Sequence, residues 1–260
     1  MIDKKAQAEP GSFRDPAGYV FYRGSGVYRQ INRAFKDDFE LFLRSKLYNK
    51  LLAQELITSF KKVDAGFISP GGYKVVECER LPFISYPYEW AFEALKDAAL
   101  ATLKIQKIAL SHGMSLKDAS CYNIQFIGSR PLLMDILSLE KYEEGTPWVA
   151  YRQFCQHFLS PLALMSYVDP RLNQLLRIHM DGVPLDLTSK LLPARTWLSF
   201  GIASHIHIHA RSQARYGARE QKITKHKNSM SRFSLMSLLD NLEAAVSSLK
   251  LKIPDSLWHG

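Results

Sequence analysis

A β-hairpin between two apolar runs is the feature that most restricts how this chain can fold. The runs Ile124 to Ile127 and Leu132 to Leu137 flank the Gly128-Ser129 pair, which is typical of a two-residue hairpin turn. Asn123 lies five residues before this pair and Asp135 six residues after it. Pairing of the strands therefore brings the two polar side chains within about one register step. The sequence predicts a hairpin with an amide and a carboxylate at its open end.

Asp135 ends the apolar stretch Pro131 to Met134, where burial of a lone carboxylate costs free energy unless its charge is compensated. A magnesium ion can supply the compensating charge, because it binds oxygen ligands. Asp118 lies five residues before Asn123 and can face the same edge of the hairpin. The pattern indicates, in outline, a site for a metal ion and a nucleotide. The alternative is that the three polar side chains only cap the loop and the hairpin.

The spacing Asp-x-x-x-x-Asn, followed by a strand, a turn and a strand ending in Asp, resembles the catalytic core of the protein-kinase-like fold. Aminoglycoside phosphotransferases and lipopolysaccharide-core kinases share this fold. The resemblance implies an α+β architecture of two lobes, with a small β-containing N-terminal lobe and a mainly helical C-terminal lobe. It also implies Mg²⁺ and ATP as cofactors. The implied activity is phosphoryl transfer to a hydroxyl of a small molecule, saccharide or glycan.

Roles for individual residues follow from the same resemblance. Asp118 would accept the proton of the acceptor hydroxyl, with Lys117 in the basic position common beside this aspartate. Asn123 and Asp135 would hold the magnesium that bridges the nucleotide phosphates. Two departures from the family pattern are that Leu116 replaces a usual histidine and that Asp135 is not followed by Phe-Gly. The altered residues after Asp135, together with the absence of a strand lysine and the small N-terminal lobe, favour an alternative function. This is a kinase-like binding module, catalytically weak or inactive, that accompanies an S-adenosylmethionine-dependent methyltransferase.

The N-terminal region contains further candidates for nucleotide binding. Gly24, Ser25 and Gly26 separate two β-prone runs, and in the resembled fold a glycine loop at this position covers phosphates. An ordinary hairpin turn explains the same residues. No lysine lies on the predicted strands before the first helix, so Arg29 is the nearest substitute for the usual strand lysine, and Lys74 is a competing candidate. Both are also explained as surface charges.

An aromatic and proline-rich segment from Glu79 to Tyr88 connects the last of these strands to a long helical pattern. In the resembled fold it would be the hinge between the lobes, and Phe83 would wall the pocket for the nucleotide base. Packing of the protein core explains the same aromatic residues without a ligand.

These expectations divide the chain into three parts. Residues 1–15 would form a flexible arm, residues 16–85 the small N-terminal lobe, and residues 86–260 the helical C-terminal lobe. The catalytic-loop hairpin would occupy residues 113–137 of the last part. The length and an apolar content of 47% are sufficient for a large core.

A second resemblance covers more of the chain. The segments YPYEWAFEALKDAALATLKIQKIAL, LKDASCYNIQF and PWVAYRQFCQHFLSPLALMSY resemble the N-terminal half of bacterial class I S-adenosylmethionine-dependent methyltransferases, some of which are called nodulation proteins. Gly24-Ser25-Gly26 leads into a β-prone run, so the strand, glycine loop and helix of a Rossmann methyltransferase are missing. S-adenosylmethionine is therefore not expected to bind this chain. A methyltransferase, attached or separate, is a possible partner.

Composition narrows the cellular setting and the partners. Three cysteines without paired-ligand spacing fit free thiols in a reducing cytoplasm, and no apolar run has the length of a transmembrane segment. The net charge of +9 favours phosphorylated or other anionic partners. The basic segment from Arg211 to Lys227 contains Tyr216 as its only aromatic residue, so nucleic acid is not an expected partner. A solvated linker is the competing interpretation of this segment.

Overall fold

An antiparallel sheet of five strands forms the N-terminal part of the computed structural model, which describes residues 7–9, 16–64, 66–67, 69–212 and 230–251. The strands are β1 (Gln7–Ala8), β2 (Gly18–Arg23), β3 (Gly26–Asn32), β4 (Phe60–Val63) and β5 (Gly72–Cys78). They lie in the order β1-β2-β3-β5-β4. Gly24, with a φ of +57°, makes the tight turn between β2 and β3 possible, because residues with a Cβ rarely adopt this conformation.

Two short helices, α1 (Lys36–Arg44) and α2 (Leu47–Ala53), follow β3. Lys46 between them has a φ of +63°, and its left-handed backbone separates the helices. Both helices are amphipathic, and their buried residues belong to the same core as the sheet residues Ile31 and Val76. The buried helix residues are Phe39, Phe42, Leu47 and Leu51.

The longest described helix, α3 (Phe92–Ser111), is buried along much of its length, and most of the residues that it buries are alanine or leucine. After α3 come strand β6 (Met114–Leu116), a loop, the hairpin strands β7 (Ile124–Ile127) and β8 (Arg130–Leu133), and strand β9 (Leu139–Lys141), which pairs with β6. The ladder of the hairpin pairs Ile124 with Leu133 and Ile127 with Arg130. The predicted hairpin is confirmed, although β8 ends two residues before Asp135.

Backbone hydrogen bonds connect this hairpin to the N-terminal part of the chain. The amide of Thr58 donates to the carbonyl of Leu133 at 3.0 Å, and the amide of Leu133 donates to the carbonyl of Leu56 at 2.9 Å. Leu56 and Leu133 are both buried. The end of β8, and with it Asp135, is therefore held against the segment that leads into β4.

The remaining C-terminal part is mainly helical. A continuous helical stretch from Tyr151 to Tyr167 contains a π-helical turn, Cys155–Leu159, just before Pro161, whose missing N–H interrupts regular helical bonding. The last described helix packs on α3, where Lys107 Nζ lies 2.6 Å from Asp240 Oδ1. The helices are α4 (Tyr151–Phe154), α5 (Ser160–Tyr167), α6 (Leu175–Ile178), α7 (Leu185–Leu191), α8 (Phe200–Ile202) and α9 (Arg232–Ser248).

The fold is α+β, with an antiparallel sheet and helices at the N-terminal end and a mainly helical C-terminal part, in the arrangement expected of a kinase-like protein. No helix within the described ranges is long and apolar enough to cross a membrane. Of the predicted arm at residues 1–15, only residues 7–9, which contain β1, belong to the described residues. Of the basic segment Arg211 to Lys227, all but the first two residues lie outside them.

Candidate functional site

A cavity of about 390 Å³ lies between one face of the N-terminal sheet and the segment that connects β5 to α3. Val27 pairs with Tyr22 on one side and with Cys78 on the other, and Val20 pairs with Arg29, so these side chains share one face of the sheet. Thr58 and Met134 complete the inner wall. The connecting segment contributes Glu79, Arg80, Leu81, Pro82, Phe83 and Ile84.

An ion pair adjoins this cavity. Arg29, which lines the cavity from β3, contacts Asp135, which directly follows the cavity residue Met134. Both side chains are largely buried, at 13% and 17% exposure. Burial opposes ionisation of Asp135, but the charge of Arg29 and hydrogen bonds from Ser138 and Leu137 outweigh it and hold the pKa of Asp135 below its usual range. Asp135 is therefore an anion at neutral pH.

Ser138 connects the two predicted metal ligands. Its Oγ donates to Asp135 Oδ2 at 2.6 Å and lies 3.2 Å from Asn123 Nδ2, which donates to it. The backbone supports the same arrangement, because the amide of Met134 donates to the carbonyl of Asn123 at 2.9 Å. The structure thus brings Asn123 and Asp135 together, as the hairpin spacing predicts. A carboxylate and an amide oxygen form a donor set that suits magnesium.

Asp118 lies in the loop between β6 and β7 and is held by two hydrogen bonds to one oxygen. Asp118 Oδ1 accepts from the backbone amide of Ser120 at 2.9 Å and from Gln153 Nε2 at 2.8 Å. Gln153 also accepts from the backbone amide of Ala119 at 2.7 Å through Oε1. Gln153, on α4, therefore fixes both the side chain and the backbone of this loop.

Lys117, predicted beside Asp118, has its ammonium 4.5 Å from the centroid of the Phe35 ring, a cation–π contact with the N-terminal part. Its backbone amide donates to the carbonyl of Ser138 at 2.8 Å. The backbone of Lys117 thus helps to position Ser138, whereas its side chain contacts the residue that precedes α1.

The glycine turn and the two candidate cations occupy different positions. Arg80, a cavity residue, donates to the carbonyl of Ser25 at 3.1 Å, so the turn Gly24-Ser25-Gly26 lies beside the cavity. Lys74 Nζ lies 3.8 Å from Glu40 Oε1 on α1 and over the Tyr73 ring, and it lines another surface depression with Lys62 and Tyr73. Arg29, not Lys74, is therefore the cation that meets Asp135.

Phe83 is 72% exposed and lines the cavity from the connecting segment. Core packing does not account for a side chain with this exposure. The same segment is held to the hairpin by Gln125, whose Oε1 accepts from the amide of Ser85 at 3.0 Å and whose Nε2 donates to the carbonyl of Ser85 at 2.9 Å. The aromatic ring therefore extends from a fixed piece of backbone at the mouth of the cavity.

Sequence reasoning missed Ser138 and Gln153. Ser138 stands among the buried residues Ile136, Leu137 and Leu139, and a lone hydroxyl in such a run was the available signal. Gln153 offers no local signal, because it reaches Asp118 from a helix 35 residues further along the chain.

His205 lies within a π-helical turn, Ala203–Ile208, His209 directly follows this turn, and both rings contact Tyr151. His205 Nδ1 lies 2.8 Å from Tyr151 Oη and its Nε2 lies 2.7 Å from Asn241 Oδ1. The amide oxygen can only accept, so Nε2 of His205 carries the proton and Nδ1 accepts from the tyrosine. Both ring nitrogens of His205 are thus used in packing the C-terminal helices.

The order of the elements gives the class of fold. The antiparallel sheet, the helices after β3, the connecting segment, the long helix α3, and the loop and hairpin that follow it have the arrangement of a kinase-like fold.

The chain is homologous over most of its length to nodulation protein NoeA of Rhizobium meliloti strain 1021. The two are 33% identical over an alignment 262 positions long, which covers 96% of this chain and 53% of NoeA. The chain thus spans about half the length of this curated relative. No family model matches the chain.

Two solved kinase structures are similar to the chain at low sequence identity. Vaccinia related kinase 3 aligns with a TM-score of 0.40 and 13% identity over 95% of this chain and 89% of that one. The Cydia pomonella granulovirus kinase PK-1 aligns with a TM-score of 0.35 and 8% identity over 55% and 57%, respectively.

Proposed function

We propose that this chain is a Mg-ATP-dependent phosphotransferase that transfers a phosphoryl group to a hydroxyl of a small molecule, saccharide or glycan. One observation carries the proposal: Arg29, which lines a cavity of about 390 Å³, contacts Asp135, and Ser138 connects Asp135 to Asn123. A cation, a carboxylate and an amide beside a partly apolar cavity suit a nucleoside triphosphate with its metal.

The cavity residues take complementary roles in this proposal. The base of the nucleotide would lie between the sheet residues Val20 and Val27 and the backbone of residues 79–84, with Phe83 at its edge. Arg29 binds phosphate oxygens as a planar fork. Asp135 and Asn123 would hold a magnesium ion, which would supply positive charge to neutralise the transferred phosphoryl group.

The donor set among the described residues agrees with magnesium bound together with a nucleotide. No group of three or more His, Cys, Asp or Glu side chains within the described ranges is placed to hold a metal ion by itself. Magnesium usually keeps several waters and is bound by one or two carboxylates plus substrate phosphates. Asp135 and Asn123 would therefore supply two ligands, and the phosphates would supply the others.

Asp118 acts as the general base for the phosphoryl transfer. Its Oδ1 accepts from Ser120 and Gln153, which orients Oδ2 as the atom that accepts the proton of the acceptor hydroxyl. The acceptor oxygen forms a bond to the γ-phosphorus, the bond from this phosphorus to the β,γ-bridging oxygen breaks, and ADP leaves with those electrons. The proton of the hydroxyl passes to Asp118.

A second function, nucleotide binding without turnover, is favoured by one feature of the site. Asp135 Oδ1 contacts Arg29 and accepts from the amide of Leu137 at 3.2 Å, while Oδ2 accepts from Ser138. Magnesium at Oδ1 would therefore have to displace existing partners. In this alternative the chain is a binding module that accompanies an S-adenosylmethionine-dependent methyltransferase, either in one polypeptide or as a separate protein.

Calorimetric titration with ATP, with and without magnesium, followed by γ-phosphate release, tests both functions. Binding that Asp135→Asn weakens and hydrolysis that Asp118→Asn removes would support the phosphotransferase. Binding without hydrolysis would support the binding module. Asp169→Asn is a matched control, because Asp169 pairs with Arg171 at the start of another helical segment. Absence of nucleotide binding in the folded wild type would contradict both.

A further inference from the structure

Ser138 is a buried polar residue, 1% exposed, in the segment between Asp135 and β9. Its backbone is bonded on both sides: the amide donates to the carbonyl of Asp135 at 3.3 Å, and the carbonyl accepts from the amide of Lys117 at 2.8 Å. Neither bond involves the side chain. The path of the chain at Ser138 therefore does not depend on the hydroxyl.

The direction of the side-chain hydrogen bonds around Ser138 follows from chemistry. An ionised carboxylate can only accept, so the single hydroxyl proton of Ser138 points to Asp135 Oδ2 at 2.6 Å. The Ser138 oxygen is then an acceptor toward Asn123, and the group that donates to it at 3.2 Å is the Asn123 amide nitrogen. The chain of donation runs from Asn123 through Ser138 to Asp135.

This chain of donation determines which end of the Asn123 side chain is available to a ligand. Because Nδ2 is bonded to Ser138, Oδ1 is the end that can meet a cation. The reversed amide would set Oδ1 against the Ser138 oxygen, whose only proton is already used by Asp135. Magnesium requires oxygen ligands, so a reversed amide would present the wrong atom.

We infer that Ser138 is a positioning residue for the metal, which holds the amide oxygen of Asn123 and the carboxylate of Asp135 in the orientation that binds magnesium. The inference rests on the proposed nucleotide and magnesium site and adds a residue to it. Residues that orient metal ligands by hydrogen bonding to them change metal affinity by about 10-fold to 100-fold when they are replaced. Replacement of Ser138 should change magnesium affinity by this amount, although Ser138 does not contact the ATP itself.

The test compares Ser138→Ala, Ser138→Thr and Ser138→Cys with the wild type. Each protein is titrated with ATP alone, and then with magnesium at a fixed concentration of ATP. Ser138→Ala should raise the apparent Kd for magnesium by about 10-fold to 100-fold and leave the Kd for ATP without metal unchanged. Ser138→Thr keeps the hydroxyl and should restore magnesium affinity. Cysteine, a weak donor of similar size, should give an intermediate Kd and serves if the alanine variant does not fold.

Ser115→Ala is the matched control. Ser115 is also buried, on β6 beside β9, and its Oγ lies 2.9 Å from Gln106 Nε2, away from the candidate metal ligands. Its loss should lower thermal stability without a change in the Kd for magnesium. If the alanine and cysteine variants bind magnesium as the wild type does, the inference is wrong and the nucleotide site stands. If the wild type binds no Mg-ATP, the proposed function itself is wrong.

Discussion

Arg29 on strand β3 forms an ion pair with Asp135, which lies 106 residues later in the chain, after the hairpin. The pair connects the N-terminal sheet to the loop that carries the predicted metal ligand. In the proposed function this ion pair competes with metal binding, because the guanidinium contacts an oxygen that magnesium would need. Phosphates that attract Arg29 would release this oxygen, so nucleotide and metal should assist each other's binding.

Replacement of Arg29 should separate the two ligands. In Arg29→Met, the affinity for ATP should fall by about 10-fold to 100-fold, because hydrogen bonds to charged groups contribute about 1.5–3 kcal/mol. Mn²⁺ without nucleotide should bind more tightly than to the wild type, since its competitor for Asp135 is gone. Calorimetry with each ligand alone measures both effects.

Lys74→Met is the control for that experiment, because Lys74 pairs with Glu40 and lines a different depression from Arg29. It should leave the affinities for ATP and for Mn²⁺ unchanged. An effect of Lys74→Met equal to that of Arg29→Met would contradict the assignment of Arg29 as the phosphate-binding cation.

Asp118→Asn should reduce γ-phosphate release by about 100-fold to 10,000-fold, the range of a lost general base, with little change in the Kd for ATP. The substitution keeps the size of the side chain and removes the ability to take a proton. Single-turnover hydrolysis measures the rate. A variant that hydrolyses ATP at the wild-type rate would show that Asp118 is not the base.

Gln153→Leu should lower the rate of hydrolysis while the Kd for ATP stays the same. Gln153 bonds both Asp118 Oδ1 and the amide of Ala119, so its loss frees the loop without touching the cavity. Gln153→Glu keeps an acceptor for Ala119 but places a second carboxylate beside Asp118, and it should also slow the reaction. Wild-type rates in both variants would exclude a positioning role for Gln153.

The buried His157 predicts a pH dependence of stability. Burial lowers the pKa of His157 to about 4, although Asp118 and Asp181 oppose this shift. An unfolded histidine has a pKa near 6.5, so this contribution is fully present above pH 6.5 and is lost as the pH falls toward 4. Between pH 7.5 and 5, His157 should cost about 2 kcal/mol of unfolding free energy.

Urea unfolding of the wild type and of His157→Gln at the two pH values isolates this effect from that of the carboxylates. The variant, which cannot be protonated at this position, should lose about 2 kcal/mol less than the wild type on acidification. Equal losses in both proteins would show that His157 is not held neutral in the folded state.

The hairpin and the proximity of Asn123 to Asp135 could be predicted because they depend on local turn chemistry and on strand pairing. The choice between Arg29 and Lys74 could not be made from sequence. Both lie on strands of the same sheet, and their partners lie outside that sheet. Lys74 pairs with Glu40 on α1, and Arg29 pairs with Asp135.

The supporting residues were also beyond sequence reasoning, for a related reason. The role of Gln153 depends on where α4 packs against the Asp118 loop, and that of Ser138 depends on the pairing of β9 with β6. Lys117 shows the same limit, because its contact with Phe35 crosses from the loop to the N-terminal part. Tertiary packing, not local propensity, determines the contacts of all three residues.

The central claim is that a nucleotide and magnesium meet at Asp135, beside the cavity that the connecting segment borders. Its most direct test is calorimetric titration of wild-type protein and Asp135→Asn with ATP, in the presence and absence of magnesium. The account predicts that magnesium tightens ATP binding to the wild type and that this enhancement disappears in Asp135→Asn. Nucleotide binding that is absent from the folded wild type, or a magnesium effect that persists in the variant, would contradict it.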